Sequence, residues 1–513
     1  MDHECDVFFL PYFTPSHMIP LVDMGRLFAT RGVNVTIVTT PCNAALFQAS
    51  VDRDIASGSP ITVHTLKFPS VEAGVPEGIE NFNAVTSLEM ATKVSEGISM
   101  LQKPMEQLIR DYRPDCIVSD MLFPWTVDVA EELKVPRILF NPSNFLFHCV
   151  THSIKIYSPH EKIQSDTESF VIPGLPDKIE ITRAQLPDHV KTKTRYGEIM
   201  DMIRESERRS IGTIINSFYE IEPSYVDHFR TVLGRKGWHV GPLSHFSNRG
   251  KIDIANDSII EQHSCLSWLD TQKPNSILYI CFGSMIRFPD SQLTQIALAL
   301  EASGKPFVWV VRKRGKTEEN EEEGWLPKGF EGRMAERNQG VIIRGWAPQL
   351  LILEHSAIGG FMTHCGWNSI LEGVTAGVPL IAWPLFAEQF YNEKLVTQVL
   401  KIGVGAGADV WNTSFEITSP VVGKDKIEKA VTYLMGCSKE SEQIRRRAKE
   451  LGVMAKRAVE EGGSSYHDLT ALIEEIKDCH IGNIKGTITK ICTFTTDKEA
   501  QVLSCPKQFL GVN

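Results

Sequence analysis

The stretch "AIGGFMTHCGWNSILEGVTAG", residues 357–377, decides how this chain folds. "AIGGFMTH" (357–364) is a near-continuous apolar run, as a strand buried on both faces of a parallel sheet requires. "GWNSILEGVTAG" (366–377) reads as the loop and helix that come next. His364 therefore stands where a strand ends and a helix is about to begin. In an open α/β sheet the ligand crevice lies outside the carboxyl ends of the strands, and free N–H groups at a helix N-terminus suit phosphate. His364, Asn368 and Ser369 add side-chain donors there. Glu372 is an acceptor for a pair of ribose hydroxyls. Upstream, Trp346 in "RGWAPQ" (344–349) offers a planar base a platform, an interaction of roughly 1–3 kcal/mol. Base, ribose and phosphate together describe a nucleoside diphosphate. A metal at His364 and Cys365 lacks a second pair at ligand spacing. A buried structural histidine is the competing account.

The same grammar extends in both directions. "DVFFLPYF" (6–13), "VNVTIVTT" (33–40), "ITVHTLKF" (61–68), "DCIVSDM" (115–121) and "RILFNP" (137–142) are strand-like, with amphipathic stretches such as "MIPLVDMGRLFATRG" (18–32) between them. "SHFSNRGKIDIANDSIIEQHS" (244–264) has no strong apolar period and reads as a linker. The pattern then restarts with "SILYICFGS" (276–284) and a helix at 290–304, with Asp290 as N-cap and Gly304 as stop. "PFVWVV" (306–311), "GVIIRGW" (340–346) and "GVPLIAWP" (377–384) supply further strands, and "KTEENEEEGW" (316–325) a solvated loop. The class is α/β, in two halves: 1–250, 251–478, and a tail at 479–513 of different character.

With 513 residues the chain exceeds what one core organises, which agrees with two domains. A formal net charge of -10 argues against nucleic acid or an anionic membrane surface as partner. Eleven cysteines, an odd number without CxxC spacing, suggest free thiols in a reducing compartment. The start "MDHECDVFFLPYF" reads as a first strand, and no run approaches the roughly 20 apolar residues of a membrane span, so a cytoplasmic setting is expected. "DRD" (52–54) reads as a solvated turn, leaving no metal site.

From Trp346 to Gln389, "WAPQLLILEHSAIGGFMTHCGWNSILEGVTAGVPLIAWPLFAEQ" resembles the 44-residue signature of the plant secondary-product glycosyltransferases of family 1, which use UDP-sugars. The likeness runs over roughly 6–478, through "FFLPYFTPSHMIPLVDMGRLFATRG", "SDMLFPWTVDVA" and "ILYICFGS", and points to the branch acting on triterpenoids and flavonoids. It implies a GT-B fold: two Rossmann-like domains whose parallel sheets face each other across a cleft, acceptor in the first and donor in the second. It implies that Trp346, Ala347 and Gln349 hold the uracil and Glu372 the ribose. Ser284, His364, Asn368 and Ser369 would surround the diphosphate, and Trp367, Glu388 and Gln389 would face the sugar. The co-substrate is a UDP-sugar with no further cofactor, and the enzyme is expected to be a monomer.

His17, in "FTPSHMIP", is read at the end of the first strand and Asp120, in "DCIVSD", at the end of another. Alone, each is as readily a capping or structural residue. Together they fit one crevice, where a carboxylate fixes an imidazole tautomer and supports its protonated form. The resemblance makes them general base and orienting acid for an inverting transfer to a triterpenoid or, alternatively, a flavonoid. A nucleotide-sugar binding protein without catalysis would lack one of the two. Phe13, Phe123, Phe145 and Phe147 are the acceptor-wall candidates. At Gln389 the family pairs glutamine with glucose; xylose and glucuronate stay open. Glucuronate would need a basic partner such as Arg26 or Arg31.

Overall fold

The computed structural model describes residues 5–85, 87–246, 259–311, 324–413 and 417–479. The acidic run 316–323, most of the linker and all of the tail beyond Cys479 lie outside the described residues.

Two parallel sheets organise the chain. The first contains β1 (Asp6–Leu10), β2 (Asn34–Thr39), β3 (Ile61–Thr65), β4 (Cys116–Asp120), β5 (Arg137–Asn141), β8 (Gly212–Ile215) and β9 (Gly237–His239) in the order β3-β2-β1-β4-β5-β8-β9. A small antiparallel hairpin, β6 (Ser169–Val171) and β7 (Glu180–Thr182), interrupts the series. The second sheet contains β10 (Ile277–Cys281), β11 (Phe307–Val311), β12 (Gly340–Arg344), β13 (Ile358–Thr363), β14 (Leu380–Ala382) and β15 (Gly403–Gly405), ordered β12-β11-β10-β13-β14-β15. This is a GT-B arrangement of two Rossmann-like layers.

The central apolar runs are buried as read. The edge strands β3 and β12 are buried at one residue each, Ile61 and Ile343, because only one side of an edge strand is covered by a neighbour. Val7, Phe8, Phe9 and Leu10 of β1 are all buried, as are all six residues of β13. Both sheets also share one topological event. After three strands laid outward from β1, the chain returns to pair β4 against the other side of β1, with Leu10 beside Ser119. The second half repeats this when β13 pairs against β10. At each reversal the loops leaving the two neighbouring strands diverge and open a crevice at their carboxyl ends.

Helix limits differ from the reading in small ways. The first helix runs Pro15–Ala29, so His17 sits in its first turn and not at the strand end; β1 stops at Leu10. The helix Asp290–Ser303 has Pro289 as N-cap, because the proline's extended backbone precedes the first helical residue; Asp290 then lies in the first turn, where a carboxylate favours the dipole. Gly304 does stop it, with φ 62. A helix over 259–270 begins inside the expected linker.

The helix over 464–479 follows the second sheet in sequence but packs on the first. Its Leu469, Leu472, Ile473 and Ile476 share a core with Phe9, Met18, Phe28 and Trp238. Arg230 and the His239 N–H both bond Asp468, at 2.6 and 3.0 Å, and Ser465 donates to the Gly241 carbonyl at 2.6 Å. Leu472→Ala, at a fully buried position, should therefore destabilise the first half by about 2–5 kcal/mol, read as a lower denaturant midpoint.

Candidate active site

Asp120 closes β4 and is completely buried. One carboxylate oxygen accepts the Leu122 N–H at 2.9 Å, and the other lies 2.9 Å from His17 Nδ1. An ionised carboxylate only accepts, so Nδ1 carries the proton and Nε2 presents its lone pair. Burial works to lower the basicity of His17, but the charge and hydrogen bond of Asp120, helped by Glu388, outweigh it and raise the pKa above the ordinary 6.5. The carboxylate thus makes Nε2 the better proton acceptor.

His17 opens onto a cavity of about 2090 Å³ whose wall includes Tyr12, Phe82, Phe123, Trp125 and Phe147, with Phe386, Glu388 and Trp411 from the second half. Phe123 and Phe147 thus lie where the sequence places them. Phe13 and Phe145 do not: both are fully buried, Phe13 edge-on to Phe123 and Phe145 edge-on to Phe229. Their rings fill the core beneath the wall. Tyr12, which the reading passed over for its neighbour Phe13, is the residue on the wall, 5.4 Å from Phe123 and stacked on Phe82.

Across the cleft, β13 delivers His364, Cys365 takes φ 65, and Gly366 caps the helix Trp367–Thr375. The imidazole of His364 is held between two glycine backbones. A Cβ on Gly366 would stand 2.5 Å from Nε2, and one on Gly283 would stand 2.9 Å from Cε1. Gly283 also has φ 79, so glycine is required there twice over. The sequence reading missed both; "FGS" after β10 and "HCG" after β13 were the available signals. Burial pushes His364 down to about 4, so its ring is neutral near pH 7.

Trp346, after β12, is 57% exposed, and Ala347 beside it is buried. Gln349 Nε2 donates to Glu372 Oε2 at 2.6 Å and sits 3.4 Å from Ser369 Oγ, while Tyr279 donates to its carbonyl at 3.3 Å. These residues form one polar group behind the exposed indole. Ser284 is exposed in the loop after β10, on the same side of the sheet as His364. Asn368 donates to the Ser16 carbonyl at 2.9 Å, one residue from the base.

Two residues expected to face the sugar have partners within the protein. Trp367 is 2% exposed and its indole N–H donates to the Asn216 carbonyl at 2.7 Å, so the ring joins the two halves instead of facing a sugar. Gln389 is buried, and its Oε1 accepts from Leu385 and Phe386 at 2.9 and 3.1 Å, which commits the acceptor to the preceding turn and leaves only its NH2 to donate. Glu388 does line the cavity, and burial raises its pKa. Arg26 is engaged with Asp23 and Asp54, and Arg31 stacks 3.9 Å from the centre of the Tyr466 ring; each has its partner away from the sugar residues. Among the described residues no group of three His, Cys, Asp or Glu side chains could hold a metal, and no helix is long and apolar enough to cross a membrane.

Residues 86–414 match the sequence model described as "UDP-glucoronosyl and UDP-glucosyl transferase". The chain is 50% identical over 492 residues to the nuatigenin 3-beta-glucosyltransferase of Solanum aculeatissimum, covering 93% of this chain and 98% of that protein. The crystal structure of Glycyrrhiza uralensis UGT73P12 complexed with glycyrrhetinic acid 3-O-monoglucuronide superposes with a TM-score of 0.90 at 44% identity, covering 96% of this chain and 100% of that one. Medicago truncatula UGT71G1 complexed with UDP-glucose follows at 0.74 and 27%, covering 92% and 98%.

A base acts when neutral, so turnover should fall as pH drops through the raised pKa of His17, above 6.5. Asp120→Asn removes the charge that raises it: the acid limb of the pH–rate profile should move to lower pH while kcat falls on the order of 10²–10⁴-fold. His17→Ala should lose a similar factor, with UDP binding, measured by calorimetry, unchanged.

Proposed function

The chain belongs to the UDP-glucoronosyl and UDP-glucosyl transferase family, and we propose that it transfers glucose from UDP-glucose to a hydroxyl of a triterpenoid or similarly bulky hydrophobic metabolite, with inversion. The observation that carries this reading is the placement of the His17–Asp120 pair and Glu388 on one aromatic-walled cavity between the two halves. A UDP-sugar is the co-substrate. The second half, from about 251 to 478, holds the donor and the first, 1–250, the acceptor. No residue from a second copy is needed, and a monomer is proposed.

In this reading Trp346 stacks on uracil, with Ala347 and Gln349 beside it, and Glu372 takes the ribose hydroxyls. Ser284, His364, Asn368, Ser369 and the first N–H groups of the helix Trp367–Thr375 face the diphosphate. The acceptor oxygen attacks the anomeric carbon opposite the diphosphate, His17 Nε2 takes its proton, and the bond to UDP breaks. Charge grows on the leaving phosphate as this happens, so fixed donors stabilise the transition state more than the ground state. His364 is suited to that task because a neutral donor carries no charge to desolvate. Closure of the cleft keeps out water, the competing acceptor.

Of the relatives named above, one is named for nuatigenin and another is seen with glycyrrhetinic acid 3-O-monoglucuronide, and the cavity beside His17 has an aromatic wall. A flavonoid is the second reading, favoured by the Tyr12–Phe82 stack, which suits a flat polyphenol.

Purified protein offered UDP-glucose, UDP-galactose, UDP-xylose and UDP-glucuronate at equal concentration, against triterpenoid and flavonoid acceptors, should give mainly triterpenoid monoglucoside by mass. Dominance of another sugar, or conversion of flavonoids alone, would overturn the corresponding half of the proposal. Activity should persist in excess chelator; loss restored by a divalent ion would show that the phosphate donors are insufficient.

A further inference from the structure

Asn144 and Asn392 are both completely buried and lie in different halves of the chain, yet they bond to each other: Asn144 Nδ2 donates to Asn392 Oδ1 at 2.8 Å. The direction of that bond is set from both ends. Asn144 Oδ1 caps the helix Phe145–Tyr157 by accepting the Phe147 N–H at 2.8 Å, so its NH2 must face Asn392. Asn392 Nδ2 in turn donates to the Cys365 carbonyl at 2.9 Å and to Glu388 Oε1 at 3.3 Å. A backbone donor begins this series and a backbone acceptor ends it. Neither amide can flip without bringing two oxygens, or two NH2 groups, together.

Each end belongs to the site. The capped helix presents Phe147 to the acceptor cavity, and the ring of Phe147 lies 6.3 Å from that of Tyr391, next to Asn392. The other end reaches Glu388 and the Cys365 turn, whose φ of 65 is one that a non-glycine residue adopts only under constraint. We propose that Asn144 and Asn392 are positioning residues that hold the Glu388 carboxylate and the Cys365 turn in register with the acceptor wall, so that the donor sugar is recognised only when the two halves are docked. This rests on the reading above in which Glu388 holds the sugar. An uncharged pair achieves it without adding a second carboxylate beside Glu388.

Asn144→Asp separates positioning from capping. Aspartate is as good an N-cap as asparagine, but it offers no NH2 to Asn392, which must turn its own NH2 toward residue 144 and present oxygen to Cys365 and Glu388. The readout is the ratio of Kd for UDP-glucose to Kd for UDP, by calorimetry, alongside kcat and KM. In Asn144→Asp and Asn392→Asp the ratio should rise about tenfold, the size of one lost hydrogen bond to a charged group, and kcat should fall. A capping role alone would leave Asn144→Asp like the parent, and general loosening would move both Kd values together. Asn144→Ser, which caps but cannot donate in the same way, reads the same ratio if either aspartate variant fails to fold, and should show a smaller rise. With a parent that transfers glucose, an unchanged ratio in these variants overturns the inference. A parent that binds UDP but does not turn over UDP-glucose overturns the functional reading instead.

Discussion

Strands that all run the same way must be joined by crossovers covering both faces of the sheet, and such a sheet opens only where the crossovers change direction. That constraint acts twice in this chain, beside β1 and beside β10. The first reversal brings the helix after β1 next to the end of β4, which is how two residues more than 100 positions apart become the His17–Asp120 pair. The second brings the end of β13 next to the loop after β10, which is how Gly283 comes to cradle His364. The first pairing runs in regular register, whereas the second skips Gly359 between Ile277–Ile358 and Leu278–Gly360. The chemistry follows from where the reversals fall.

The two histidines show how much the surroundings decide. Both sit in loops or first turns just beyond a strand, and both are enclosed. His17 has a buried carboxylate at 2.9 Å and becomes more basic; His364 is packed between two glycine backbones, where burial makes it far less basic. One is therefore ready to receive a proton and the other keeps a neutral ring across the pH range in which the first titrates. Two identical side chains are driven in opposite directions, and the difference between them is one carboxylate.

Most of the architecture was legible because it rests on period and punctuation. Near-continuous apolar runs marked the strands, and Gly304 marked a helix end. The grouping of Gln349 with Ser369 and Glu372 was legible because they lie close along the chain, on elements either side of one strand. What could not be read was the direction in which a loop aromatic turns. Tyr12 and Phe13 are adjacent and equally apolar in their bodies, but only the tertiary fold decides that Phe13 packs inward on Phe123. The partner of the Trp367 indole could not be read for the same reason: Asn216 lies in the other half. Gln389 looked free to bind a sugar because the turn that occupies its oxygen leaves no mark in composition or period.

The last helix has a consequence for how such enzymes are recombined. Because residues 464–479 belong to the first core although they follow the second sheet in sequence, the molecule cannot be divided by a single cut in the linker. An exchange of acceptor halves between relatives made there would leave four apolar side chains facing a surface they did not evolve with, and would strip Arg230 and His239 of their shared carboxylate. The unit of exchange is discontinuous: the first half together with the C-terminal helix, with the nucleotide half inserted between them as a cassette.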